Sequence, residues 1–466
     1  MKRRQFLRSG SFVSLPLLFG GLEVAALGKS SLFDILGKYD DRVLVIVRLQ
    51  GGNDGLNTII PLDQYSALSQ VRQGLLIEEN KVLKIRDDLG FHPSMSSLQN
   101  LFKEEKLSII QSVAYPNQNR SHFRSTDIWS TASDANKVIS TGWAGRYLDQ
   151  EYPGFPDFYP NEDTQDPIAV TVGNVVSETC QGSIANFGFT LVNQDTVRFV
   201  EETVAAPIDN SCYSQELEYI RTSIKQSNSY AERVLNAFEK GSNKVEYPDP
   251  RATSLATQLK TVAQLISGGL QSKIYVVTLG GFDTHANQVQ IGETDIGIHA
   301  NLLQSLSGAI EAFVNDCNAL GIGDRVMGMT FSEFGRQIRA NNSFGTDHGT
   351  AAPMMVFGNC ANPIIVGDNV EISSDVAPQE GVPMQYDFRS VYASMLIDWM
   401  GATQEQVEQV LFRDFQRLPI VKNCSVPSSL NEAHNAINVK LSPNPALDYT
   451  VLEFYNHSPK VHLSLF

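Results

Sequence analysis

The stretch KIYVVTLGGFDTHANQ, residues 273–288, carries an almost unbroken apolar run straight into a polar loop. Residues 274–279 (IYVVTL) do not alternate, which predicts a strand covered on both faces rather than one with a wet side. The loop sets Asp283 and His285 two residues apart, just past the strand's carboxyl end. A carboxylate and an imidazole there suit a metal site, a catalytic pair or a plain polar loop, and the rest of the chain has to distinguish them.

The pattern recurs. VLVIVRL (43–49) leads to QGGNDGLN, with Asn53 and Asp54; LSIIQSV (107–113) leads to AYPNQNRSHFRS, with Ser121 and His122. VMGMTF (326–331) leads to SEFGRQIRANNSFGTDHG, with Glu333, Arg336, Asp347 and His348. Residues 168–173, 354–357 and 364–367 are further strand candidates. Between the strands lie amphipathic helical patterns at 255–267, 301–320 and 392–400. In the second of these, Leu302, Leu306, Ile310, Phe313, Val314 and Cys317 share one stripe. Alternating strands and helices predict an α/β fold, with a mostly parallel central sheet and helices on both faces. In such a sheet the carboxyl ends share one edge where ligands bind, so four loops far apart in sequence converge on one crevice.

Asp54, Asp283, His285, Glu333, Asp347 and His348 offer oxygen and nitrogen donors and no thiolate. That set suits one or two divalent ions (Zn, Mn, Fe or Ca), with histidine favouring a transition metal. Ser121, beside His122 and flanked by Arg120 and Arg124, is a candidate nucleophile activated by a metal or a base. Arg336 is a candidate anion clamp. Each residue also has a structural alternative. Asp54 could close a tight turn, Ser121 could cap a helix, and Arg336 could pair with Glu333. His92 reads as a packing residue at a helix start and His299 as a helix cap.

Lys and Arg total 36 against 51 Asp and Glu, a net charge of −15, which argues against nucleic acid or an anionic membrane as partner. Hydrophobic content of 42% excludes disorder as the default. The five cysteines (180, 212, 317, 360 and 424) are widely spaced, which excludes a zinc ribbon. Cys180 and Cys212 fall in one polar segment, about 150–250, that reads as a cap or insertion, and are the expected disulfide pair. The N-terminus, MKRRQFLRSGSFVSLPLLFGG, has a basic start and a short interrupted apolar run, the layout of an export signal over 1–28 rather than of a transmembrane anchor. The Arg3-Arg4-Gln5-Phe6-Leu7 run resembles the twin-arginine signal. An α/β body over 29–423 and a linker over 424–440 follow.

VIVRLQGGNDGLNTIIPL, NRSHFRSTDIW, GWAGRYLD, GGFDTHANQ, FSEFGRQIRANNSFGTDHGTAAPMMVFG and YDFRSVYASMLIDWMG together resemble the twin-arginine-exported domain-of-unknown-function family 1501, over roughly residues 40–420. That family is similar to the alkaline phosphatase and sulfatase superfamily. The resemblance implies a metal site at the strand ends, with Asp54, Asp283, His285, Glu333 and His348 as ligands and Ser121 as nucleophile. It also implies a small anionic ester or glycan as substrate. Phe334 stands where the superfamily carries a histidine, so one metal position is expected to be lost or rebuilt, with Asp347 or His122 as replacements. LSPNPALDYTVLEFYNHSPKVHLSLF (441–466) resembles the start of a type A sorting domain of the type IX secretion system. It implies a short β-rich tail and a Bacteroidetes-type cell. Handling by the twin-arginine translocase and the type IX machinery would carry the protein to the periplasm, then to the outer-membrane surface or beyond. The competing class is a non-catalytic surface binding or assembly protein on the same fold.

Overall fold

The structure is a computed structural model that describes residues 41–199, 212–249, 251, 254–373, 375–422 and 424, together with five short terminal strands. In the helix Cys212–Lys240, side chains are described from residue 224 onward.

The run VLVIVRLQ forms β1 (Val43–Gln50), which lies inside a nine-stranded sheet. The other strands are β2 (Leu107–Ala114), β3 (Ala169–Val172), β4 (Gly188–Leu191), β5 (Ile274–Gly280), β6 (Val326–Ser332), β7 (Ala352–Phe357), β8 (Ile365–Val366) and β9 (Tyr386–Asp387). Their order is β8-β2-β7-β6-β1-β5-β3-β4, with β9 also on β2. β5 and β6 flank β1 in parallel, and the three strands end level: Gly280 pairs with Gln50, and Ser332 with Leu49. Only β7 among the described strands of this sheet runs the other way, antiparallel to both β6 and β2. It departs from the expected parallel order because the connection from β6, residues 333–351, has no crossover helix and turns straight back. A parallel return needs such a crossover.

Alternate residues of β1 serve two cores. Val43, Val45, Val47 and Leu49 pack on one face under α1 (Ser96–Lys103), α5 (Leu255–Ser267) and α6 (Ile298–Ala319). Leu44 and Ile46 pack on the other with Trp129, Trp143 and Tyr392, from α2 (His122–Thr131), α3 (Trp143–Glu151) and α7 (Phe388–Ser394). Both faces are dry, which is why the strands read as continuous apolar runs. The polar segment of about 150–250 is built onto the sheet edge. It supplies β3 and β4, and the end of the helix α4 (Cys212–Lys240) packs through Val234 and Phe238 into the α5–α6 core.

Arg42–Cys424 forms one compact unit, distinct from the two terminal segments. In those segments Pro16–Phe19 pairs with Leu22–Ala25, and Asn438–Ser442, Thr450–Tyr455 and Val461–Leu465 make a three-stranded antiparallel sheet. The Arg3-Arg4 motif, residues 425–437 of the linker and Pro443–Ala446 lie outside the described residues. Among the described residues no helix is long and apolar enough to cross a membrane.

The disulfide is Cys360–Cys424, not Cys180–Cys212. Cys180 is a free, fully buried thiol packed among Ile168 and Phe187. The 360–424 bond fastens the end of the body to the turn between β7 and β8. Two backbone hydrogen bonds, Asn362 N–H to the Ile420 carbonyl and Lys422 N–H to the Cys360 carbonyl, each 2.9 Å, reinforce it. Closing a loop of this length restricts the unfolded chain. Reduction, or Cys424→Ser, is therefore expected to lower unfolding stability by about 2–4 kcal/mol. Denaturant titration with and without reductant reads this directly; coincident curves would show that the hydrogen bonds alone hold the segment.

Candidate metal centre at the strand ends

The level ends of β1, β5 and β6 bring three loops into contact, and two glycines make the contact close enough. Gly51 has φ +122° and Gly52 φ +80°. A Cβ on Gly51 would stand 2.4 Å from the Asp283 nitrogen, and one on Gly52 2.3 Å from the Phe334 ring. Glycine alone tolerates both the backbone conformation and the approach.

Asp283 sits beyond β5, His122 opens α2 and His348 closes the loop after β6. One ligand atom from each lies within 4.8 Å of the others. His348 Nδ1 is 2.8 Å from the Arg120 carbonyl oxygen, which can only accept, so Nδ1 carries the proton and Nε2 a lone pair. That Nε2 faces Asp283 Oδ1 at 3.2 Å. His122 repeats the arrangement. Its Nδ1 is 2.9 Å from Glu333 Oε1, an oxygen that also accepts the Gly51 N–H, and its Nε2 faces Asp283 Oδ2 at 3.4 Å. His122 Nε2 is buried without a hydrogen-bond partner. Burial holds the His348 imidazole below its ordinary pKa. Burial works to raise Asp283, but the hydrogen bond and charge of Arg336 overcome it and bring the carboxyl down to about 2. An ionised carboxylate therefore meets the His348 lone pair and the unpartnered His122 nitrogen, an arrangement that a cation between them would stabilise. Two nitrogens and an oxygen, each imidazole pinned through its other nitrogen, fit a transition ion.

The remaining site candidates go elsewhere. His285 places Nδ1 2.9 Å from Asp283 Oδ1 but lies outside the three-residue cluster, half-exposed. Glu333 lies outside the three-residue cluster; wholly buried, it stands behind His122 and orients it, with Oε2 left unpartnered. Asp347 accepts from the Asn341 amide at 3.0 Å and takes no part. Asp54 is also withdrawn, because both its oxygens are held by the Arg72 guanidinium. Arg336 cannot clamp an anion. Its side chain is 0% exposed, and it donates to the carbonyls of Gly51, Gly52, Phe282 and Thr346 and to Asp283 Oδ1. Arg124 is spent on Asp127 and on the Asp134 and Ala135 carbonyls. Ser121 is the exposed N-cap of α2, and its hydroxyl makes no capping hydrogen bond.

His92 caps the short helix Pro93–Met95, with Nδ1 accepting the Ser94 N–H. His299 does not cap; it is buried, with Nε2 3.0 Å from Asn53 Oδ1. Phe334 forms a wall, its ring centroid 4.6 Å from that of His348 and 4.9 Å from that of His122. Sequence reading missed Arg72 and Gln288. Gln288 lies within the opening stretch, but an amide carries no motif, and Arg72 ends a short helix with nothing beside it to signal a site.

Zn²⁺ or Mn²⁺ titration calorimetry is expected to give one tight event that Asp283→Asn or His348→Ala abolishes. Glu333→Gln keeps the ligands and loses the orienting carboxylate, so affinity is expected to fall about 10–100-fold. Undiminished binding by His348→Ala would remove it from the centre.

Two solved structures resemble this chain at low similarity. One is a protein in the alkaline phosphatase superfamily from Vibrio parahaemolyticus, with 9% identity, TM-score 0.37 and coverage of 91% of this chain and 82% of that one. The other is a phosphonate monoester hydrolase from Silicibacter pomeroyi, with 12% identity, TM-score 0.34 and coverage of 91% and 88%. No curated protein matches the chain. Residues 256–409, the part that carries Asp283, His285, Glu333, Asp347 and His348, match the family described as a protein of unknown function, DUF1501.

Proposed function

We propose that the protein is an exported metal-dependent hydrolase of phosphate or sulfate esters, with a single divalent ion held by His122, Asp283 and His348. The observation that carries this reading is the pair of pinned imidazoles whose free nitrogens face the Asp283 carboxylate. When bound, the ion supplies positive charge to an ester oxygen.

The chain's own groups do the rest. Ser121, exposed and one residue before His122, is the nucleophile of the reading: its Oγ gives up its proton and bonds to phosphorus or sulfur, the ester oxygen leaves as an alcohol by taking up a proton, and water then cleaves the serine ester and restores the hydroxyl. His285 has Nδ1 on Asp283 and is half-exposed, so its Nε2 is free to carry a proton to the departing oxygen. Phe334 excludes water behind the imidazoles. The Cys360–Cys424 bond supports export, since disulfides persist in oxidising compartments. Twin-arginine export followed by type IX sorting to the cell surface is the proposed route.

A second reading, a surface binding protein, is favoured by one observation. Arg336 and Arg124 are both committed to internal contacts, so neither grips an anion. A panel of phosphate and sulfate monoesters, run with Zn²⁺, Mn²⁺, Fe²⁺ or Ca²⁺, separates the two. Metal-dependent turnover that falls by about 100-fold or more in Asp283→Asn and in Ser121→Ala supports the hydrolase. Metal binding without turnover across the panel supports the binding protein. Turnover unaffected by Asp283→Asn would end the metal-site assignment.

A further inference from the structure

We propose that the Arg72 guanidinium is the permanent cation of the Asp54 carboxylate, and that Asp54 therefore takes no metal ion. The sequence resemblance assigns Asp54 to a metal, but three buried donors, two of them from a guanidinium, already occupy its oxygens. Arg72 Nη1 lies 2.7 Å from Asp54 Oδ2 and Nη2 3.0 Å from Oδ1, a two-pronged contact. Gln288 Nε2 donates to Oδ2 at 2.6 Å. Gln288 cannot turn away, because its Oε1 accepts the Thr284 and Thr346 hydroxyls at 3.0 and 2.8 Å. Neither charged side chain exceeds 1% exposure.

The guanidinium is equally complete. Its five N–H groups have five acceptors: the two Asp54 oxygens, Asn57 Oδ1 at 3.1 Å, the Ile338 carbonyl at 2.8 Å and the Gln337 carbonyl at 2.9 Å. A metal ion entering at Asp54 would have to displace the two Arg72 donors from the carboxylate and leave a buried guanidinium without its counter-charge. The contrast with the other centre is direct: there His122 Nε2 and Glu333 Oε2 are buried without partners, whereas here the carboxylate and guanidinium leave none.

The centre thus combines one exchangeable ion with one covalently attached charge that no chelator removes. Arg72 is a positioning residue. Through Asp54, Gln337 and Ile338 it joins the loop after β1 to the loop that carries His348, and through Gln288 it reaches the loop of Asp283. One ion rather than two also leaves one oxygen of an in-line displacement to protein groups, a point that rests on the hydrolase reading.

The test compares metal stoichiometry in the full chain by equilibrium dialysis against Zn²⁺ and Mn²⁺ with elemental analysis. Asp54→Asn is expected to bind as many equivalents as the unsubstituted protein, while Asp283→Asn binds one fewer. Should Asp54→Asn fail to fold around its stranded guanidinium, the neutral double variant Asp54→Asn/Arg72→Gln makes the same comparison. Loss of one equivalent on substituting Asp54 would overturn the proposal. If the unsubstituted protein and the Asp54 variant both bind none, the Arg72 assignment stands and the metal centre at His122, Asp283 and His348 falls.

Discussion

A single buried guanidinium, that of Arg336, fixes the geometry on which the strand-end edge depends. It takes carbonyl oxygens from Gly51 and Gly52 after β1, Phe282 after β5 and Thr346 in the loop after β6. A buried charge stripped of such partners would cost roughly several kcal/mol, so none of these loops can drift without penalty. The same side chain holds Asp283 Oδ1 at 2.7 Å. That contact selects the carboxylate's orientation and turns Oδ2 toward His122. The position of the candidate ligand is thus set by a residue that touches no solvent.

Much of the architecture was legible because burial on both faces leaves a plain trace. The runs at 43–49, 274–279 and 326–331 become three parallel strands with level ends, and the loops named from them do meet. What a string of letters does not carry is direction. Asp54 and Asp283 both follow a strand by a few residues, yet one faces inward to Arg72 and the other stays 48% exposed. Arg336 looked like an anion clamp because an arginine at a strand end is placed to be one. Its loop folds it under the backbone instead. Arg72 sits in SQVRQGLL, where nothing local marks it, and its partner Asp54 is 18 residues earlier. The disulfide is hidden for a similar reason: shared composition suggests proximity for Cys180 and Cys212, while the fold brings together two cysteines 64 residues apart.

The two charged centres have much the same chemistry in different solvents. In the inner one burial pushes the imidazole of His92 down to about 3 and that of His299 down to about 4, so both are neutral at physiological pH. Burial works to raise Asp54 as well, and the Arg72 charge and hydrogen bonds hold it below its ordinary value. Every charge there is answered within the chain. In the outer one, Asp283 and His285 are exposed, His348 Nε2 meets only Asp283, and His122 Nε2 has no hydrogen-bond partner. The division follows from the sheet edge itself, whose inner rim is roofed by loops and whose outer rim is open.

The bond between Cys360 and Cys424 has a mechanical meaning. Cys424 is where the α/β body hands over to the C-terminal segment. A pull exerted on the chain beyond that residue passes through sulfur to Cys360, three residues past the end of β7, and so into the sheet. Residues 412–422 lie inside the covalent loop that this bond closes. The body can be drawn by its tail as a folded object.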